Sequence, residues 1–116
     1  MTEDCIFCKI AKGEIPSTVV YQDDEIYAFR DINPAAPTHV LIIPRQHVAS
    51  SLNDVNATNA PLIGRLLHVA AQIAQSEKVA EKGYRVVANT NRDAGQSVFH
   101  LHFHLLGGRK MGWPPY

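Results

Sequence analysis

Short apolar runs broken by polar or proline-rich punctuation dominate the chain, and only one stretch sustains a helical period. There Leu62, Leu66, Val69 and Ile73 recur at three- and four-residue spacing, which predicts an amphipathic helix. Asn59 or Thr58 would cap it, Pro61 falls in its first turn, and it should run to about Glu81, with Gly83 past its end. A shorter helix is predicted over residues 5–12, stopped by Gly13 with Pro16 just beyond. Elsewhere the pattern is that of strands. Residues 19–22 and 26–30 read as a hairpin around the polar turn Asp23-Asp24-Glu25. Residues 31–37 form a loop punctuated by Pro34 and Pro37, followed by a β-branched, buried strand over 39–43 that Pro44 ends. A strand at 84–88, a turn region at 91–96 and a last strand at 99–106 before Gly107-Gly108 complete the pattern. One long helix among hairpin-connected strands predicts an α+β domain with a mainly antiparallel sheet.

Composition narrows this to a single domain spanning residues 1–116, with 46% apolar residues to fill its core. Lys+Arg 11 cancels Asp+Glu 11, which argues against a protein that holds nucleic acid by bulk charge. No apolar run exceeds four residues, so no membrane partner and no secretory segment are expected; Met1-Thr2-Glu3-Asp4 is acidic where a signal would be basic. A cytoplasmic setting is the default. In such a reducing compartment, the Cys5-x-x-Cys8 spacing points to metal or redox use in preference to a structural disulfide.

Three of the six histidines fall in His100-Leu101-His102-Phe103-His104-Leu105-Leu106. On a strand this alternation puts apolar side chains on one face and three imidazoles, about 7 Å apart along the chain, on the other. Crowded imidazoles disfavour one another's charged forms, which keeps the rings neutral and nucleophilic near neutral pH. Gly95-Gln96-Ser97 and Gly107-Gly108 flank the segment; glycine allows close approach of backbone to a ligand, and Ser97 with nearby N–H groups can hold an anionic oxygen.

The segment resembles the signature of the histidine-triad (HIT) superfamily, in which three histidines alternate with apolar residues and two more apolar residues follow. Ile6-Phe7-Cys8-Lys9-Ile10, Phe29-Arg30-Asp31-Ile32, Pro37-Thr38-His39, Gly95-Gln96-Ser97 and Gly107-Gly108-Arg109 are similar to the Hint branch, so the likeness covers nearly the whole chain. Relatives that transfer uridylyl groups carry glutamine where this chain has His104. The resemblance implies a purine nucleoside phosphoramidase that cleaves the P–N bond of AMP-amines and related conjugates. It implies a five-stranded sheet with one long and one short helix, and a homodimer whose sheets join into ten strands.

Chemistry and resemblance agree on roles. A histidine can attack phosphorus, carry the nucleotidyl group and then leave when water attacks. His102 matches the nucleophile. His104 would contact the phosphate and help deliver a proton to the amine, while His100 and His39 would orient the nucleophile. Ser97 and the Gln96 region would contact phosphate oxygens, and Asn89 would line the α-phosphate side. Asp31 would read the ribose hydroxyls, and Ile26, Phe29 and Ile32 would sandwich the purine. Read without the family, Asp31 could equally cap its loop, and Ile26, Phe29 and Ile32 default to core. Trp113, in a proline-rich tail at residues 111–116, would reach the partner's site. Catalysis would need no cofactor. Cys5, Cys8, His47 and His100 match the set through which some relatives hold a structural zinc, with a pair of reduced thiols as the alternative. Two rival functions stay open on sequence: a hydrolase whose catalytic zinc is held by His100, His102 and a third histidine, and a nucleotide-binding regulator with little turnover.

Overall fold

The strand and helix periods fold into α1 (Ile6–Ala11), β1 (Val19–Gln22), β2 (Ile26–Arg30), β3 (Thr38–Pro44), α2 (Ala60–Ser76), β4 (Tyr84–Val87) and β5 (Phe103–Gly107). The computed structural model describes residues 4–115, so the acidic stretch at residues 1–3 and Tyr116 of the tail lie outside it. The strands form one antiparallel sheet in the order β1-β2-β3-β5-β4. Among the described residues, no helix is long and apolar enough to cross a membrane.

The register sorts side chains between two faces. Ala28 pairs with Ile42 and Val40 with Leu105, and these join Ile26 and Phe103 beneath Ile63, Leu66, Val69 and Ile73 of α2. Phe29 pairs with Leu41 and Leu41 with His104, one residue out of phase, on the opposite face. There Tyr27, Phe29, Leu41 and Ile43 pack against Phe7, Ile10 and Ala11 of α1. β3 is buried along its whole length because both layers cover it, which explains its unbroken apolar run. The six-residue α1 packs over Leu41 and Ile43, whereas His39 stands toward the opposite end of β3 on that face.

Besides one-residue shifts at the ends of α1 and β3 and at the C-terminal end of β5, three boundaries depart from the sequence pattern. Helix α2 stops at Ser76, not near Glu81, because Lys78 turns into the left-handed region at φ 63°. Lys78 N–H then donates to Gln75 O at 3.1 Å and Val79 N–H to Ala74 O at 3.0 Å, a closing motif normally built on glycine. Residues after it follow the core instead of the helix axis, with Val79 buried. Strand β4 closes one residue early, at Val87. Strand β5 begins at Phe103, not Phe99, because Phe103 pairs with Ile42, close to the end of β3. The preceding segment is held by Leu101 N–H donating to Ala49 O at 2.9 Å.

The paired glycines after β5 serve packing. A methyl group on Gly107 would lie 2.9 Å from Val79 Cβ; one on Gly108, whose φ is +93°, would lie 2.9 Å from Pro37 Cβ. The chain therefore presses against Val79, beyond α2, at Gly107 and against the loop between β2 and β3 at Gly108.

Candidate active site

His39 and His104 come from adjacent strands and His102 from the segment entering β5, so the sheet itself brings the three imidazoles together. His39 Nε2 lies 2.9 Å from His104 Nδ1, and the His102 and His104 ring centroids are 5.0 Å apart. His100 points away from this group. It is completely buried, and its Nδ1 faces Cys5 Sγ at 3.2 Å and Cys8 Sγ at 3.5 Å.

Hydrogen-bond polarity fixes which nitrogen of each ring carries the proton. His102 Nδ1 lies 2.7 Å from the His100 carbonyl, which can only accept, so Nδ1 donates and Nε2 is left with a bare lone pair. His39 Nδ1 faces the Ala35 N–H at 3.0 Å, which can only donate, so the His39 proton sits on Nε2. That N–H reaches His104 Nδ1, with Asp31 Oδ2 farther off at 3.4 Å. The His104 proton therefore sits on Nε2. Burial is the first cause holding His102 and His104 below the ordinary histidine range; His104 falls to about 4, with the neighbouring His102 and His39 adding to the effect and Asp31 opposing it. A bare His102 nitrogen and a protonated His104 nitrogen stand side by side in neutral rings.

A cavity of about 270 Å³ opens beside them. His102, His104, Asp31 and Ser97 border it among apolar walls from Phe29, Ile32 and Leu41. The sequence pattern missed the other half of the wall: Ile6, Phe7 and Ile10 of α1, together with Ile15 and Val98. The signal was available, since α1 carries apolar residues on more than one side; Phe7 meets Phe29 edge-on at 5.6 Å and His102 at 5.0 Å. Larger hollows exist, including one of about 680 Å³ among Lys78, Lys82, Arg109 and Lys110, but no histidine or cysteine lines it.

Not every expected residue converges. Ile26 does not join Phe29 and Ile32: two-residue alternation puts it on the α2 face, fully buried in that core. Asp31 does both of the things weighed for it, accepting from the Asn33 N–H at 2.8 Å and bordering the cavity. The Gln96 amide is spent on structure, donating to Ser50 O at 2.7 Å and Val98 O at 3.1 Å and accepting from Asn91 N–H at 2.8 Å. It thereby holds Ser97 at the rim. Asn89 is half-buried just beyond β4 and outside the cavity lining. Trp113 is 83% exposed.

The donor atoms of Cys5, Cys8, His47 and His100 all lie within 4.8 Å of one another. His100 Nε2 donates to Pro44 O at 2.8 Å, leaving Nδ1 unprotonated toward the sulfurs, the polarity a metal ligand needs. Burial, then the hydrogen bond with Cys5, pushes the Cys8 thiol up to about 11, so binding a cation there would release a proton. Two sulfurs and two imidazoles on a closed set suit tetrahedral zinc of the structural kind. Asp31, His39 and His104 also cluster within 4.8 Å, but His39 Nε2 carries its proton and cannot ligate. His100 and His102 do not converge on a common point either, since His100 Nδ1 faces the sulfurs while His102 Nδ1 is bonded to the His100 carbonyl.

Residues 12–111 match the HIT domain family. The chain is 55% identical over 112 residues to the purine nucleoside phosphoramidase of Escherichia coli K12, covering 97% of this chain and 93% of that protein. It is 53% identical over 111 residues to a 14 kDa zinc-binding protein of Zea mays, covering 95% and 86%. The crystal structure of a HIT family hydrolase from Legionella pneumophila superposes with a TM-score of 0.94 at 56% identity, covering 97% of this chain and all of that one. With that match across nearly its whole length, the chain belongs to the HIT domain family.

Proposed function

We propose that this HIT-family hydrolase cleaves the P–N bond of purine nucleoside phosphoramidates, AMP-lysine-like adenosine 5′-phosphoramidates among them, and by the same displacement the P–O bond of aminoacyl-adenylate-like conjugates, through a nucleotidyl-His102 intermediate. The observation that carries the reading is the bare Nε2 of His102, held by the 2.7 Å bond from Nδ1 to the His100 carbonyl, beside a cavity with apolar walls and a carboxylate. The purine would lie between Phe29, Ile32 and the α1 side chains, with Asp31 on the ribose hydroxyls. Ser97 would receive a phosphate oxygen. His102 Nε2 would bond to phosphorus as the P–N bond breaks and the amine departs; water would then displace the imidazole. The E. coli relative, a phosphoramidase by name, supports the substrate class.

Catalysis on this reading draws on the chain's own groups. Cys5, Cys8, His47 and His100 would hold a structural zinc, a role supported by the donor polarity at His100 and by the zinc-binding Zea mays relative. The working unit is a homodimer in which the free edge of β4 pairs with its copy into a ten-stranded sheet and Trp113 reaches the partner's cavity; the exposure of Trp113 favours this. A reducing compartment such as the cytoplasm would keep both thiols available.

Turnover of a fluorogenic adenosine phosphoramidate, with intact-mass analysis of quenched reactions, tests the reading. Wild type should turn over and carry one nucleotidyl group, whereas His102→Ala should do neither and still bind AMP. Binding without turnover by wild type would shift the protein to a regulatory role.

A further inference from the structure

The His39–His104 pair is closed at its far end by a group that cannot change protonation. Ala35 N–H donates to His39 Nδ1 at 3.0 Å, and an amide N–H never accepts in return. His39 Nε2 must then hold its proton, and at 2.9 Å that proton leaves no room for another on His104 Nδ1. A second proton on His104 would set N–H against N–H. The conflict could be relieved only by stripping His39 Nε2, which would either make His39 an anion or move its proton to Nδ1, setting N–H against the Ala35 N–H. The Ala35 residue is held on its other side as well: Arg109 Nη2 donates to the Ala35 carbonyl, in the next peptide unit, at 3.2 Å, and Gly108 packs against Pro37.

We propose that the Ala35 peptide is a positioning group that locks His104 as a neutral ring with its proton on Nε2. On the phosphoramidase reading above, His104 is then a hydrogen-bond donor to the bound phosphoryl group and not the acid that hands a proton to the departing amine. The second half of the role expected for His104 from sequence is thereby reassigned: the amine takes its proton from solvent. Ala35 acts through His39, and Arg109 and Gly108 act through Ala35. The charged or titratable neighbours of His104 are Asp31 from the loop after β2, His39 from β3, and His102 before β5; Arg85 of β4, on the same face, is turned to the Gly112 carbonyl. α1 presents only apolar side chains to the cavity.

Two measurements test this, and the first uses no substrate. Long-range proton–nitrogen spectra of the imidazoles in the intact protein should show His104 with one protonated nitrogen, Nε2, from pH 8 down to pH 5. Ala35→Pro, which removes the donor, should give a tautomer mixture or a second proton in that range. A wild-type His104 that is protonated on Nδ1, or doubly protonated at pH 6, overturns the proposal whatever the enzyme's substrate proves to be. The second compares His104→Gln, which keeps an N–H donor, with His104→Ala. The glutamine variant should stay within about ten-fold of wild type for both an alkylamine and a fluoride leaving group, while alanine should slow both alike. A glutamine variant that loses only the amine substrate restores the proton-transfer role and defeats the proposal.

Discussion

Arg30 and Glu77 form a two-pronged ion pair, Nη1 to Oε1 at 2.8 Å and Nη2 to Oε2 at 2.9 Å, that ties the end of β2 to the C-cap of α2. Thr38 Oγ1 also reaches Glu77 Oε1, at 3.5 Å. The pair thus spans both strands that flank the loop carrying Asp31 and Ala35. Partial exposure, with Arg30 at 43% and Glu77 at 18% side-chain exposure, limits its strength. Glu77→Ala should cost about 1 kcal/mol in urea unfolding, and Arg30→Lys somewhat less, since lysine cannot bond both oxygens. An unchanged unfolding midpoint in both variants would show that the pair holds nothing together.

The depressed His104 makes an acid-sensitive fold. Its value drops from 6.5 to about 4, with burial the leading cause. The unfolded chain therefore binds a proton that the folded protein refuses between these values. The contribution is fully present above about pH 6.5, declines as pH falls toward 4 and is flat below. His104→Gln should reduce, without abolishing, the slope of unfolding free energy against pH across that window, because buried His100, also held at about 4, titrates in the same range. Equal slopes for wild type and variant would contradict the assignment.

Zinc at Cys5, Cys8, His47 and His100 should stabilise the fold without entering the reaction. Chelation should lower Tm by several degrees, as loss of any ligand specific to the folded state does. Turnover below the new melting range should persist. Cys8→Ser should abolish stoichiometric zinc by elemental analysis. Activity that vanishes with zinc in still-folded protein would return the site to a metal mechanism.

The tail tests the dimer. Trp113 stands exposed beyond the Gly107-Gly108 break, and no sheet pairing involves residues 111–115. Deleting residues 111–116 should leave Tm nearly unchanged and alter preference between small and bulky amines, since those residues would touch the leaving group in the partner's site. Identical preference before and after deletion, or a monomer at micromolar concentration, would remove the tail from the site.

The sequence exposed the strands, the sheet class and the histidine segment because each is written in local periodicity. It hid what depends on partners across the fold. The end of α2 was obscured because Lys78 takes a conformation that glycine would have advertised. The true start of β5 depends on where β3 ends. His100 shares its spacing with His102 and His104, so the pattern alone could not show that it faces two sulfurs instead of the cavity. The division of the apolar residues of β2 between the two layers needed the register.

Two isoleucines, Ile26 on β2 and Ile32 in the loop after it, give a double test. Ile32 is 90% exposed at the cavity mouth, whereas Ile26 is fully buried under α2. In the free protein Ile32 therefore contributes almost nothing to stability, and its apolar surface gains a partner only when a purine covers it. Ile32→Ala should raise KM several-fold, leave kcat near wild type and leave Tm unchanged, because uniform binding to substrate and transition state is what is lost. Ile26→Ala should do the reverse. It opens a void between β2 and Leu66 of a packed core, which costs about 2–5 kcal/mol, while the cavity on the opposite face keeps its walls. KM measured on the folded fraction of Ile26→Ala should match wild type. A raised KM in Ile26→Ala would mean that the two faces of β2 are not separated as the register requires, and a Tm loss in Ile32→Ala would mean that the loop after β2 packs more tightly than its exposure indicates.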